Sequence, residues 1–182
     1  MSISIKRFLT SKGYRYLGKG VYQEAYLAPD GTVLKIYYPD KRNKFSKAQM
    51  SFIDFAKFCQ KNPNNPFLPY FFGWETFKWG ENLYLQIKSE RLFPINKIDG
   101  QLISSLVTPI LDGIKPENIK YIDDIGYLID LLGGLEKSRL FYRTVRKIND
   151  IARVKRYRLD LHYNNFMYGS DGQLVINDPF AF

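Results

Sequence analysis

The sequence predicts an α+β fold in two parts: a small antiparallel sheet with one helix, then a helical half that ends in a hairpin. Three observations predict it. Short apolar runs punctuated by turn residues crowd the segment 1–89, helical periodicity replaces them over 90–182, and Gly169-Ser170-Asp171-Gly172 separates two short apolar runs near the end. Strands grouped before helices indicate α+β, whereas a doubly wound sheet would alternate them.

The elements follow in order. Tyr14–Leu17 and Glu24–Ala28 flank a glycine-containing turn, and Pro29-Asp30-Gly31 is a turn signal before a third strand at Thr32–Tyr38. An amphipathic helix is expected over Ser46–Gln60, with Met50, Ile53, Phe55, Ala56, Phe58 and Cys59 as its apolar positions, and Asn62-Pro63-Asn64-Asn65-Pro66 stops it. Strands at Tyr70–Glu75 and Asn82–Lys88 would complete a five-stranded sheet. In the second half, Gln101–Leu111 and Ile122–Leu132 read as helices, with Gly133-Gly134 as a break. A longer helix over Glu136–Val154 places Leu140, Phe141, Val145, Ile148, Ile151 and Ala152 on one face. Phe166–Tyr168 and Leu174–Asn177 are the strands of the closing hairpin.

Composition bounds the function classes. With 182 residues, 45% of them hydrophobic and 16% aromatic, the chain can bury a real core and is not a disordered segment. No apolar run reaches the length of a membrane span, and Met1–Thr10 lacks the apolar stretch of a leader. The single cysteine, Cys59, excludes an internal disulfide, so a cytoplasmic setting is expected, with Cys59 in the core. His162 is the only histidine, which excludes a histidine metal cluster; its expected role is a hydrogen bond bracing the loop around it. The formal charge of +9 favours anionic partners without choosing among them.

The residues that carry chemistry fall in a consistent order. Phosphoryl transfer from ATP needs a phosphate cradle, a fixed cation, magnesium ligands and a group that orients the attacking hydroxyl. Gly18-Lys19-Gly20 at a strand-to-strand turn would let backbone amides approach phosphate oxygens, although Gly-X-Gly between strands is more often only a turn. Lys35, within Val33-Leu34-Lys35-Ile36, would be the cation, or simply an outward-facing lysine of a strand. Asp160 and Asn165 lie five residues apart between a long helix and a hairpin, and Asp178 follows Asn165 by thirteen. A carboxylate can orient a hydroxyl proton, and an asparagine oxygen and a second carboxylate suit magnesium. Any one of these residues can be a turn aspartate or a helix cap; the set across one hairpin is harder to explain that way. The segment Lys115-Pro116-Glu117-Asn118-Ile119 imitates part of the pattern, but Asp112 is six residues from Asn118 and Leu131 stands thirteen after it. It reads as a turn and helix start.

Leu159–Met167 together with Asp178 resembles the catalytic and metal-binding loops of the protein-kinase-like superfamily, in which Asp-X-X-X-X-Asn is followed, after a hairpin, by Asp-Phe-Gly. Asp160-Leu161-His162 is similar to the small-molecule branch, the aminoglycoside and choline kinases, and to small phage-encoded proteins assigned as serine/threonine kinases. The resemblance implies a two-lobed protein-kinase-like fold with a small antiparallel-sheet N-lobe and a much reduced helical C-lobe. It implies ATP and Mg2+ as cofactors, Asp160 as catalytic base, Asn165 and Asp178 as magnesium ligands, and Lys35 as the phosphate anchor beside Gly18, Lys19 and Gly20. Phe67–Gly73 resembles the link into the fourth strand, and backbone groups from Ser89 to Leu92 would meet adenine. The expected activity is a minimal kinase acting on protein serine or threonine hydroxyls in the cytoplasm, the host's if the chain is phage-encoded. The alternatives are a catalytically silent kinase-like module that binds a host protein or nucleic acid and, from the Asp160-Leu161-His162 form, phosphorylation of a small molecule.

Departures from the family pattern carry their own expectations. Gln23 stands where a third glycine would sit, and Asp54 is the only carboxylate on the first long helix available to pair with Lys35. Leu159, not an arginine, stands immediately before Asp160, so coupling to a phosphorylated loop is not expected. Pro179 follows Asp178 and predicts a static Asp178. The sequence ends four residues after Asp178, so a substrate platform would have to come from a partner or from an unusual mode of binding. Arg139–Arg158 carries eight basic residues, Arg139, Arg143, Arg146, Lys147, Arg153, Lys155, Arg156 and Arg158, among Phe141, Tyr142 and Tyr157. That stretch is either a solvated helix face or a surface for an acidic protein or nucleic acid.

Overall fold

Alternating side chains along a strand point to opposite faces, and in the first part of this chain both faces of the sheet are covered. The computed structural model describes residues 4–39, 46–114 and 125–181. The chain divides into two units, residues 1–63 with 70–91, and residues 64–69 with 92–182. The imitation motif Lys115–Ile119 lies outside the described residues, as does the start of the helix expected from Ile122.

In the first unit, β1 (Arg15–Lys19), β2 (Gln23–Leu27), β3 (Val33–Tyr37), β4 (Phe71–Trp79) and β5 (Asn82–Ser89) form an antiparallel sheet in the order β1-β2-β3-β5-β4. Helix α1 (Ile5–Ser11) packs Ile5 and Leu9 against Tyr26, Leu34, Ile36 and Tyr84 on one face. Helix α2 (Lys47–Gln60) covers the other face, where the Phe52 ring lies 5.3 Å from Tyr37 and 5.9 Å from Phe71. Central β3 is therefore buried on both sides, apart from half-buried Lys35. The sequence reading expected one helix here, and the structure has two. At seven residues α1 is too short to be marked by periodicity, and packing rather than propensity sustains it.

Ser46 caps α2 reciprocally with Gln49, which fixes its start. The buried face differs from the expected one. Phe52, Phe55, Ala56 and Cys59 recur at helical spacing and are buried, whereas Met50 is exposed and Phe58 half-buried. Burial pushes the Cys59 thiol above its ordinary range, in keeping with the core role expected for it.

The second unit is built around Phe67, Phe141 and Phe166, all fully buried; Phe67 and Phe141 have ring centroids 5.2 Å apart. Asn65 Nδ2 donates to Thr144 Oγ1 at 2.8 Å, and the Ile176 amide donates to the Phe67 carbonyl at 2.9 Å. These contacts explain why residues 64–69 group with the helices although α2 and β4 of the first unit flank them in sequence. The helices are α3 (Lys97–Ser105), α4 (Val107–Leu111), α5 (Ile125–Leu131) and α6 (Leu135–Lys155). The single helix expected over Gln101–Leu111 is two helices broken at Leu106. Pro109 supplies no amide for the Ser105 carbonyl, so the break falls one turn before it. On α6 the buried stripe is Ser138, Phe141, Thr144, Val145, Ile148 and Ala152, while Leu140 and Ile151 are half-buried. Short strands β6 (Phe93–Pro94), β8 (Phe166–Tyr168) and β9 (Leu174–Ile176) form one sheet, and β7 (Arg158–Leu159) pairs with β10 (Phe180–Ala181). Among the described residues, no helix is long and apolar enough to cross a membrane.

In the first unit, Tyr26 donates its hydroxyl proton to Glu24. Burial first, and then Glu24, push the hydroxyls of Tyr26 and Tyr38 above the ordinary tyrosine range. A folded-state pKa raised above the unfolded value of 10.0 gives stability that is complete below that pH and is lost as pH rises past it. The urea midpoint of this unit should therefore fall between about pH 8 and about pH 11, and should fall less in Tyr26→Phe, which removes one of the titrating groups. Equal falls in the two proteins would contradict this reading.

Candidate functional site

Helix α6 ends at Arg156, which takes a left-handed conformation (φ 57°) and turns the chain into β7. That turn delivers Asp160 to the end of β7, half-buried, before Leu161 enters the core and a 3-10 turn forms over Tyr163–Asn165. The Asn165 amide donates to the His162 carbonyl at 2.8 Å, and the Asn165 side-chain Nδ2 donates to the Asp160 carbonyl at 2.7 Å and to Asp160 Oδ2 at 3.2 Å. A backbone carbonyl only accepts, so the atom facing it must be the amide nitrogen. The Asn165 carbonyl oxygen is thereby turned away from Asp160, with its orientation set by chemistry.

Asp178 lies between β9 and β10 with φ 43°, one of two non-glycine residues in the left-handed region among those described. Such a conformation costs an L-residue about 1–2 kcal/mol. Backbone bonds on both sides of Asp178 hold it there. The Asn177 amide donates to the Asn165 carbonyl at 2.7 Å, and the Pro179 carbonyl accepts from the Asp160 amide at 2.8 Å. Beyond them, Phe180 pairs with Leu159. The three residues singled out by spacing, Asp160, Asn165 and Asp178, are thus tied into one framework by main-chain bonds between their own or adjacent residues.

The donor set suits a hard cation. An asparagine oxygen and a carboxylate are the oxygen ligands magnesium takes from protein, the rest coming from water and phosphate. Among the described residues there is no cluster of three or more His, Cys, Asp or Glu that could hold a metal, so a site here would use few protein ligands. His162 does not brace the loop through its ring as expected. The ring is exposed and packs on Tyr163 (centroids 4.1 Å), and it is the backbone carbonyl of His162 that Asn165 bonds.

Residues of the first unit stand as follows. Lys35 projects from β3 on the α2 side, its Nζ 4.5 Å from the Phe52 ring centroid. Asp54 is half-buried on α2. Gly18 and Lys19 belong to β1, after an irregularity between Tyr16 and Gly18, and Lys19 pairs with Glu24. The turn proper begins at Gly20, whose amide donates to the Gln23 carbonyl at 2.8 Å. Ser89 ends β5, buried between Val33 and Phe71, and its hydroxyl donates to the Glu90 carbonyl at 3.2 Å. Leu92 is half-buried at the start of the second unit's main segment. A separate cleft of about 580 Å³ in the first unit is lined by Glu24, Tyr38, Trp79 and Tyr84, among others, and contains none of the residues predicted for the site.

Sequence reasoning missed the support under the loop. Asn96 caps α3, accepting from the Asp99 amide at 2.9 Å, and Asp99, only 7% exposed, accepts from Tyr127 at 2.7 Å and from Tyr168 at 3.4 Å. The tyrosine hydroxyls are pushed up accordingly, Tyr127 chiefly by its bond to Asp99 and Tyr168 chiefly by burial. The Asn-X-X-Asp spacing at 96–99 was the available signal.

No protein-family profile and no curated protein matches this sequence. Solved structures do. They include amicoumacin kinase hAmiN in complex with AMP-PNP, Ca2+ and Ami, at 13% identity and a TM-score of 0.45, covering 95% of this chain and 63% of that one. The APH(2'')-IIa enzyme of the streptomycin–ATP ternary complex is similar at 14% identity and a TM-score of 0.38, covering 99% of this chain and 72% of that one. Aminoglycoside phosphotransferase APH(2'')-Ib, ADP-bound, is similar at 14% identity and a TM-score of 0.40, covering 98% and 72%. The chain thus spans less than two thirds of the length of the amicoumacin kinase.

The Asn165 bonds yield a test. Asn165→Ala should lower stability in urea by about 1–2 kcal/mol through two lost hydrogen bonds. Asn165→Asp, the same size but an acceptor only, should cost more at neutral pH, because it sets a carboxylate against the Asp160 carbonyl and carboxylate. An Asp variant as stable as the Ala variant would contradict the assigned geometry.

Proposed function

We propose that this chain is a phosphotransferase that uses ATP and Mg2+ and passes the γ-phosphoryl group to a hydroxyl, with protein serine or threonine as the acceptor class. The observation that carries the reading is the double hold of Asn165 on Asp160, with Asp178 fixed between two backbone bonds to the same pair. Phosphoryl transfer is mostly positioning and charge stabilisation, and rigid placement of an aspartate, a neutral oxygen ligand and a second aspartate is what that chemistry needs.

In this reading Asp160 orients the acceptor hydroxyl and takes its proton. Asn165 Oδ1 and the Asp178 carboxylate are the magnesium ligands, and the metal when bound supplies positive charge against the phosphate oxygens. Lys35, Gly18, Lys19 and Gly20 are assigned to phosphate, and backbone groups at Ser89 and Leu92 to adenine, on their positions in the sequence. Pro179 is assigned the role of keeping Asp178 in place, because proline restricts φ and its carbonyl is already bonded to Asp160.

One observation favours a second reading, a module that works by binding alone. On α6 the side chains of Arg139, Arg143, Arg146, Lys147 and Arg153 are all exposed, opposite the buried stripe, with Asp150 among them and Glu136 paired to Arg139 at 3.0 Å. Such a ridge suits an acidic protein or nucleic acid, and binding would weaken steeply with salt.

Transfer of radiolabelled phosphate to a mixed protein substrate separates the two readings. The phosphotransferase should label it, and Asp160→Ala and Asp178→Ala should each cut labelling at least 100-fold, on the order of the loss when an essential positioned group is removed. Labelling unchanged in both variants would overturn the catalytic assignment. A thermal shift with Mg-ATP checks the nucleotide separately, since only a ligand of the native state stabilises it.

A further inference from the structure

Helix α3 carries a glycine, Gly100, in its interior, where alanine would be the better helix former. Its φ is not in the left-handed region, so backbone conformation does not require glycine there. What requires it is a close approach. A Cβ at Gly100 would stand 3.1 Å from the Tyr163 carbonyl oxygen, 3.3 Å from Tyr163 Cβ and 3.2 Å from Ile95 Cγ2. Two of those three atoms belong to the turn that ends in Asn165. One turn further along the same helix, Ser104 Oγ donates to the Leu161 carbonyl at 2.9 Å. At the helix start, Asp99 accepts from Tyr168, three residues beyond Asn165. Helix α3 therefore meets the chain at residues 161, 163 and 168, along the length of the candidate catalytic loop and into the strand after it.

We infer that Gly100 is a positioning residue: by lacking a side chain it lets α3 seat against the Tyr163 carbonyl and so sets the height of the Asp160–Asn165 loop. The inference rests on the phosphotransfer reading of that loop for its functional consequence, but the seating is a property of the fold. A methyl group at position 100 leaves the helix intact and pushes the turn outward by a few tenths of an ångström. That loosens the Asn165–His162 and Asn177–Asn165 bonds and moves the Asn165 oxygen relative to Asp178.

The test compares Gly100→Ala with Ser104→Ala, and with Ser105→Ala as the control. Ser105 is exposed, and its hydroxyl bonds the Leu102 carbonyl within α3. Hydrogen exchange is followed at single residues, and kcat and KM for ATP are measured with Mg2+. Gly100→Ala should keep or raise the urea midpoint, because alanine favours the helix. It should speed exchange at Asn165 and Asn177 at least threefold, with exchange within α3 unchanged. Its kcat should fall about 3- to 10-fold with KM for ATP within twofold, since displacements well below 1 Å cost less than the ~100-fold of a full ångström. Ser104→Ala should move the same readouts in the same direction, and Ser105→Ala should move none. Unchanged exchange at Asn165 and Asn177 in folded Gly100→Ala would overturn the inference whatever the activity. A kcat equal to the wild type's, alongside altered exchange, would overturn its catalytic part. Absence of transfer by the wild type would sink the phosphotransfer reading and leave the exchange measurement to decide the seating.

Discussion

The two backbone hydrogen bonds that flank Asp178 are the constraint on which the candidate site depends. One runs from the Asn177 amide to the Asn165 carbonyl, and the other from the Asp160 amide to the Pro179 carbonyl. Between them Asp178 has little choice but the left-handed conformation it takes. The strain of about 1–2 kcal/mol is offset by main-chain bonds worth about 1 kcal/mol each and by the buried side chains of Leu161, Phe166, Ile176 and Phe180 around them. Strain held this way is a recurring mark of functional loops. Here it belongs to a carboxylate that stands one residue from each of its anchors.

The rigidity of the loop has a second source, in packing rather than in strain. Phe67, Phe141 and Phe166 fill the centre of the second unit, and Phe166 directly follows Asn165. The core therefore fixes the strand that leaves the loop, while α6 fixes the strand that enters it and α3 closes against its carbonyls. Polar groups join in only where they are satisfied. Asp99 is buried, yet it accepts from Asn96, Tyr127 and Tyr168, so its burial carries no orphaned acceptor.

Much of this was legible in the sequence, for reasons that differ between elements. The strands of the sheet and the long helix α6 announce themselves through turn residues and helical period. The spacing from Asp160 to Asn165 to Asp178 put the three residues in view because a hairpin returns the chain by a fixed count. What was hidden depends on contacts far apart in sequence. Helix α1 is about two turns long and is sustained by packing on Tyr26 and Tyr84. The break at Leu106 needed Pro109 to be weighed against an otherwise continuous helical pattern. The pairing of β7 with β10 involves two residues on each side, too few to leave a pattern. Gly100 reads as a weak spot in a helix until the Tyr163 carbonyl is seen beside it.

The central claim is that Asn165 and Asp178 together receive a divalent cation accompanying ATP. The most direct measurement is paramagnetic broadening of assigned backbone amide resonances when Mn2+ replaces Mg2+ in the presence of ATP. The account predicts broadening centred on residues 160, 165 and 178, reduced at least tenfold in apparent Mn2+ affinity by Asp178→Ala. Broadening centred elsewhere, or unchanged by Asp178→Ala, would contradict it.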